Sequence, residues 1–196
     1  MITVEVVVMP SKKAIGGAAA VVLAIAGGII APWEGTKLES YQDSVGVWTV
    51  CTGHTGTAGP GQTRTQAECD ALLESDMGEA LAAVDRTIST PLPDKTRAAF
   101  VSFTFNVGAG KLQRSTLARK ANAGDLVGAC NELTRWVYAG GERLRGLVNR
   151  RAEERAVCLE GVRDAGQSDS AAASVGVGDT AGPWHWFDVA TSWFRG

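Results

Sequence analysis

Residues 33–56 read W-E-G-T-K-L-E-S-Y-Q-D-S-V-G-V-W-T-V-C-T-G-H-T-G, and the rest of the chain has to be read outward from them. Eight residues separate Glu34 from Asp43, and five more separate Asp43 from Thr49. A carboxylic acid can protonate a leaving oxygen, a carboxylate can activate water, and a hydroxyl can hold that water. Two acids this close are usually solvated surface charges, so the setting has to carry the reading. Glu34 ends an apolar run and Gly35 follows it as a helix C-cap does. Val45, Val47, Trp48 and Val50 around Gly46 read as a half-buried hairpin.

The pattern E-G-x5-Y-x-D-x2-G-x2-T-x3-G-H across residues 34–54 resembles the phage muramidases of the T4 lysozyme type, glycoside hydrolase family 24. The similarity continues to about Gly161. It implies an α+β, mainly α, two-lobed lysozyme-like fold, with a small β hairpin subdomain, a helical lobe and a preceding N-terminal hydrophobic helix. It further implies cleavage of the β-1,4 bond between N-acetylmuramic acid and N-acetylglucosamine in bacterial peptidoglycan. Carried over residue by residue, it makes Glu34 the catalytic acid, Asp43 the water-directing carboxylate and Thr49 the residue that hydrogen-bonds the water. Phe105 and Thr116 match saccharide-contacting positions, and His54 completes the candidate substrate-binding set. His54 beside Gly53 reads first as a structural hydrogen-bonding residue, in line with the family's G-H pair, rather than as a metal ligand or general base. No cofactor and no metal is expected, and the protein should act as a monomer. A lytic transglycosylase, or a membrane-tethered wall-binding protein without catalysis, are the rival readings; the presence of all three groups favours hydrolysis.

With 196 residues the chain can hold one catalytic domain plus appendages. Its 19 basic and 21 acidic residues leave a net charge of -2, which argues against a nucleic-acid partner. Arg135, Arg143, Arg145, Arg150, Arg151 and Arg155 cluster near the end of the similarity, either as a basic face for an anionic wall or as a solvated Arg-rich helix. Cys51, Cys69, Cys130 and Cys158 lack zinc-site spacings. In an exported protein they would form two disulfides. Four cysteines allow three pairings, of which neighbourhood in the implied fold favours Cys51 with Cys69 and Cys130 with Cys158.

Residues 1–8 precede a second methionine, Met9, so translation could begin at either. Lys12 and Lys13 are followed by residues 14–31, eighteen positions without a charge, the layout of an export signal. A cut after Ala31 would leave Glu34 three residues from a new terminus, and glycine and alanine make the run a weak permanent anchor. The segment resembles the signal-arrest-release segments of lambdoid phage endolysins. That resemblance implies residence in the host inner membrane, then release to the periplasm. The expected organisation is a signal-anchor segment over residues 1–31, a catalytic domain over 32–162, and a linker with a tail over 163–196.

Within the domain, residues 57–62 read as a loop and Thr65-Gln66-Ala67-Glu68 as a capping box. Leu72, Leu73, Met77, Leu81, Val84 and Ile88 then follow at helical spacing, as a long helix joining the lobes. Pro91 and Pro93 stop it, and Asp94 caps a helix apolar on nearly all sides. After a turn at residues 106–110, Ser115 or Thr116 caps a short helix ended by Gly124, and Asp125 begins another. The last helix, 143–162, is expected to turn Leu144, Val148, Ala152, Ala156 and Leu159 inward. Residues 165–182 read as a Gly/Ala/Ser linker before a Trp-rich end, P-W-H-W-F-D-V-A-T-S-W-F-R-G, suited to a membrane surface, a sugar, or docking back on the domain.

Overall fold

The computed structural model describes residues 16–43 and 46–175, with side chains through residue 168. The start at Met1 or Met9, the Lys12-Lys13 pair, Val45 of the hairpin and the Trp-rich tail lie outside the described residues. The order is α1 (Gly17–Ile30), β1 (Lys37–Gln42), β2 (Trp48–Cys51), α2 (Gln66–Thr87), α3 (Asp94–Val107), α4 (Ala109–Gln113), α5 (Thr116–Asn122), α6 (Leu126–Glu132), a 3-10 turn (Leu133–Arg135), β3 (Tyr138–Ala139), β4 (Glu142–Arg143) and α7 (Arg145–Val175).

Strands β1 and β2 form the expected antiparallel hairpin, with Tyr41 opposite Thr49 and Gln42 opposite Trp48. Gly46 makes its turn at φ +82°, in the left-handed region that glycine enters without a steric cost. Beneath the hairpin, Val50, Cys51 and Cys69 form a small buried cluster. The Cys51–Cys69 disulfide, Cα atoms 5.0 Å apart, ties β2 to the first turn of α2. Helix α2 starts where the sequence places it: Thr65 Oγ1 accepts from the Glu68 amide and Glu68 Oε2 accepts from the Thr65 amide.

Helix α3 is the centre of the main core. Ala98, Ala99, Phe100, Val101 and Phe103 are inaccessible to solvent, and α1, α2 and α7 pack around them. Its cap differs from the expectation. Pro93 occupies the N-cap and Asp94 is the first helical residue, where its charge faces the positive end of the helix dipole without capping it. The expected turn at 106–110 shrinks to Gly108, which at φ +88° joins α3 directly to α4. Ser115, rather than Thr116, caps α5 by accepting from the Ala118 amide, and Asp125 caps α6 by accepting from the Gly128 amide.

Helix α7 is rotated from its expected face. Arg150, Arg151, Glu154, Cys158 and Gly161 are buried; of the residues expected inward, Leu159 packs against the core and Val148 is half-buried, whereas Ala152, Ala156 and Leu144, just before the helix, are exposed. Two contacts fix this rotation. The Cys130–Cys158 disulfide, Cα atoms 5.7 Å apart, ties α7 to α6, and Thr96 Oγ1 donates to the Cys158 carbonyl at 2.9 Å. The arginine cluster is thereby split: Arg143 and Arg145 are solvated and Arg135 is 73% exposed, while Arg150 and Arg151 are core residues. α7 also continues to Val175, into the stretch expected to be linker; its run of alanines favours helix.

Gly161 sits where α7 crosses the start of α3, and a Cβ there would lie 2.7 Å from the Thr96 amide nitrogen. Gly161→Ala should therefore force the helices apart and cost about 1–3 kcal/mol, measurable by denaturant unfolding. An unchanged unfolding midpoint would contradict this packing.

Candidate functional site

Glu34 lies just past the end of α1. The helix stops at Ile30 with Ala31 as C-cap, and Pro32 cannot continue it, so proline rather than Gly35 is the stop. The Trp33 and Glu34 amides both donate back to the Ile30 carbonyl, at 3.0 and 3.3 Å. Since α1 buries Val22, Ala26 and Ile30 against the core, the apolar segment of the sequence reading is what positions the acid. α1 has 14 residues, and among the described residues no helix is long and apolar enough to cross a membrane.

The Glu34 side chain is held from α7. Arg150 Nη1 donates to Oε1 at 2.5 Å. Oε2 faces Gly53, lying 3.6 Å from where a Cβ at that residue would be. Gly53 has φ +81°, a backbone conformation that favours glycine, while the carboxylate stands at ordinary contact distance from a Cβ there. Arg150 is itself only 4% exposed, and its Nε donates to Glu154 Oε1 at 3.2 Å. Ser102 Oγ donates to that same oxygen at 2.7 Å. Arg151 approaches the other Glu154 oxygen at 3.1 Å, donates from Nη2 to Asn106 Oδ1 and lies over the Phe103 ring.

Burial dominates the titration of this cluster. It pushes the Glu154 carboxyl up from the ordinary glutamate value, against the opposing pull of Arg151, Ser102 and Arg150. Burial also lowers Arg151 to about 10, with Glu154 opposing the shift and Arg150 adding to it, so the guanidinium remains charged at neutral pH.

Asp43 is at the turn of the hairpin. Its Oδ1 accepts from the Val47 amide at 2.8 Å, and its own amide donates to the Val47 carbonyl at 2.9 Å, which fixes the carboxylate to the β2 side. Thr49, on β2, is 5% exposed and donates from Oγ1 to the Val47 carbonyl at 3.2 Å. Asp43 and Thr49 are thus anchored on the same residue, Val47.

A groove of about 610 Å³ runs along α2. Gly53, His54, Thr55 and Gly56 form one side, Asp76, Glu79, Ala80, Ala83 and Arg86 the α2 wall, and Thr104, Phe105, Gly108 and Ala109 the other side. Glu34, Asp43 and Thr49 are not among its lining residues; the groove and the acid meet at Gly53, which belongs to the one and faces the other. His54 is 8% exposed and fully engaged, with Nδ1 on the Asp76 carboxylate at 2.8 Å and Nε2 accepting from the Thr57 amide at 3.1 Å. It braces the loop that carries Gly53, the structural part expected of it. Phe105 is half-buried in the groove wall. Thr116 does not line the groove; it begins α5, where its Oγ1 accepts from Arg119 at 2.8 Å.

Sequence reasoning missed Arg150, Glu154, Ser102 and Asp76. The signal for the first two was present as R-R-x-x-E ahead of Cys158, a spacing that places Arg151, Glu154 and Cys158 on one helical face. Nothing in the sequence marked Asp76 or Ser102.

A hairpin lobe and a helical lobe joined by one long helix, with a groove along that helix, define a lysozyme-type glycosidase. Residues 31–154 match the family model described as phage lysozyme. The chain is 50% identical over 129 residues to the SAR-endolysin of Bacteriophage PS119, covering 65% of this chain and 77% of the relative. It is 35% identical over 175 residues to the SAR-endolysin of Escherichia phage 933W, covering 79% of this chain and 99% of the relative. Among solved structures, the active form of P1 phage endolysin Lyz aligns with a TM-score of 0.65 at 28% identity, over 77% of this chain and 98% of that one. The muramidase domain of SpmX from Asticaccaulis excentricus aligns with a TM-score of 0.64 at 31% identity, over 68% and 94%. The chain belongs to the phage lysozyme family, and it is a peptidoglycan-degrading lysis enzyme of the glycosidase class.

Proposed function

We propose that this enzyme hydrolyses the β-1,4 bond between N-acetylmuramic acid and N-acetylglucosamine by a single displacement. The carrying observation is the split engagement of Glu34, with Oε1 held by a buried guanidinium and Oε2 facing Gly53 at the edge of the groove. In this reading Glu34 gives its proton to the glycosidic oxygen from Oε2 as the bond to the anomeric carbon breaks. Asp43 takes a proton from the attacking water, and Thr49 orients that water. No cofactor takes part. Phe105 offers a face to the glycan strand, His54 holds the loop beneath it, and Thr116 serves at most a more distant saccharide unit. A single copy of the chain suffices.

Attack by water on the face opposite the leaving group inverts the anomeric centre, which requires the two carboxyl groups to stand about 6.5–9.5 Å apart. Proton NMR of the first-formed product should therefore show the inverted anomer, and Asp43→Asn should lower turnover about 10²- to 10⁴-fold. A retained anomer would instead indicate a covalent intermediate.

The same reading extends to localisation, since the PS119 and 933W relatives are SAR-endolysins. The apolar segment would hold the chain inactive in the host inner membrane and, after depolarisation, leave to become α1 in the periplasm. Membrane residence and an assembled site compete for the same residues, because Ile30 receives the amides of Trp33 and Glu34. The glycines of α1 allow a clean test. A Cβ at Gly16, Gly17 or Gly28 would meet nothing, whereas one at Gly27 would touch Met77. Leucine, which contributes roughly 0.3–0.6 kcal/mol per residue to insertion at the centre of a span, should at positions 16, 17 and 28 hold the segment in the membrane more firmly than glycine, leave the folded enzyme intact, and delay lysis. Fractionation before and after an uncoupler checks it: wild-type chain that is already soluble and shortened before depolarisation points to a cleaved signal.

A further inference from the structure

Two consecutive residues at the end of α1 dock on α7 one turn apart. Glu34 takes Arg150, and Trp33 donates from its indole Nε1 to Glu153 Oε2 at 2.8 Å, across a sequence separation of 120 residues. The main chain here needs such a hold. Between the end of α1 at Ile30 and the start of β1 at Lys37, the main-chain bonds that order it all return to α1, from the Ala31 amide to the Gly27 carbonyl and from the Trp33 and Glu34 amides to the Ile30 carbonyl, while the Thr36 and Thr52 hydroxyls meet at 3.4 Å. The main-chain bonds tie the segment to α1, and the ion pair at the tip of Glu34 alone fixes the carboxylate, not the backbone, relative to α7. A bond from the preceding residue to the same helix removes the freedom this leaves. Glu153 is also a half-buried carboxylate whose one hydrogen-bond partner among the described residues is this indole. A carboxylate kept half out of water for a single N–H gains little stability, but a charge-assisted bond is short and directional.

We propose that Trp33 and Glu153 are positioning residues for the general acid, a second latch that, with Arg150, fixes the Glu34 backbone on α7. The proposal rests on the reading of Glu34 as the acid. Because the latch spans the end of the apolar segment and the last helix, it closes only when α1 has taken its place in the enzyme. It adds nothing to the substrate contacts, so its loss acts on turnover and not on binding. A misplacement on the order of 1 Å at a reacting group costs up to about 10²-fold, and Arg150 still grips the carboxylate, so a loss of about tenfold is expected.

The test is steady-state kinetics on solubilised peptidoglycan with the full chain in its released, oxidised form, well below each variant's Tm. Trp33→Phe keeps the ring and removes the N–H, and Glu153→Ala removes the acceptor. Each should lower kcat about tenfold with KM unchanged, and the double variant should be no slower than either single, since both break the same bond. Glu153→Gln retains an accepting oxygen and should stay within about threefold of wild type. Wild-type kcat in Trp33→Phe or Glu153→Ala, losses that multiply in the double variant, or a loss confined to KM would each overturn the latch. Glu34→Gln, run alongside, separates the two claims: if it is inactive while the latch variants turn over normally, only the latch fails, and if it is active, the acid assignment fails.

Discussion

Glu34→Gln should lower turnover by about 10²- to 10⁴-fold while leaving the protein folded. The amide keeps an oxygen at the end of the same side chain, so Arg150 Nη1 retains an acceptor, and Arg150 Nε stays on Glu154. What is lost is the transferable proton. Circular dichroism and thermal unfolding of the variant, beside a turbidity assay on purified wall, separate chemistry from folding. A well-folded Glu34→Gln protein with near-normal turnover would remove Glu34 from the mechanism.

Glu154→Ala should produce the largest loss of stability of any single change in the site. Glu154 has no solvent exposure, and it lies between two buried guanidiniums, those of Arg150 and Arg151. Truncation leaves Arg151 with Asn106 and the Phe103 ring, and leaves Arg150 with Glu34 and the Ser102 carbonyl. Breaking a buried pair from one side costs about 3–5 kcal/mol, because the remaining charge cannot return to water. For a domain of this size that corresponds to a fall in Tm of about 6–20 °C. Activity should fall as well, since Arg150 loses the anchor that aims it at Glu34. A Tm within about 2 °C of wild type would show that the cluster relaxes to water more easily than its burial indicates.

The hairpin that carries Asp43 and Thr49 was legible because its signals are local. Gly46 supplies the left-handed turn, the apolar Val47, Trp48 and Val50 follow it into β2, and Thr65 with Glu68 marks where α2 begins. The disulfide pairs followed once the fold was in view, because each joins elements that the fold makes neighbours. The face of α7 was not legible. A hydrophobic template counts Arg150, Arg151 and Glu154 as solvent-facing; Glu154 pairs with both arginines on α7, and the distant partners that complete the buried network, Glu34 just past α1 and Ser102 on α3, lie more than a hundred and about fifty residues away. The grip on Glu34 was invisible for the same reason: it is a long-range ion pair, and neither partner's local pattern announces the other. The cap of α3 failed for a subtler reason, since a Pro-Asp pair fits equally well with aspartate at the N-cap or in the first turn.

What the enzyme leaves at the end of the glycan it cuts distinguishes hydrolysis from every route that bypasses water. Purified peptidoglycan digested with the full chain and separated by liquid chromatography with mass spectrometry reports the bond and the mechanism in one measurement. Two carboxyl groups with a hydroxyl to steer water predict fragments ending in reducing N-acetylmuramic acid, each heavier by one water than the anhydro form, and no such fragments from Glu34→Gln. Fragments ending in 1,6-anhydro-N-acetylmuramic acid would contradict hydrolysis, because they form without the water that Asp43 and Thr49 are proposed to deliver.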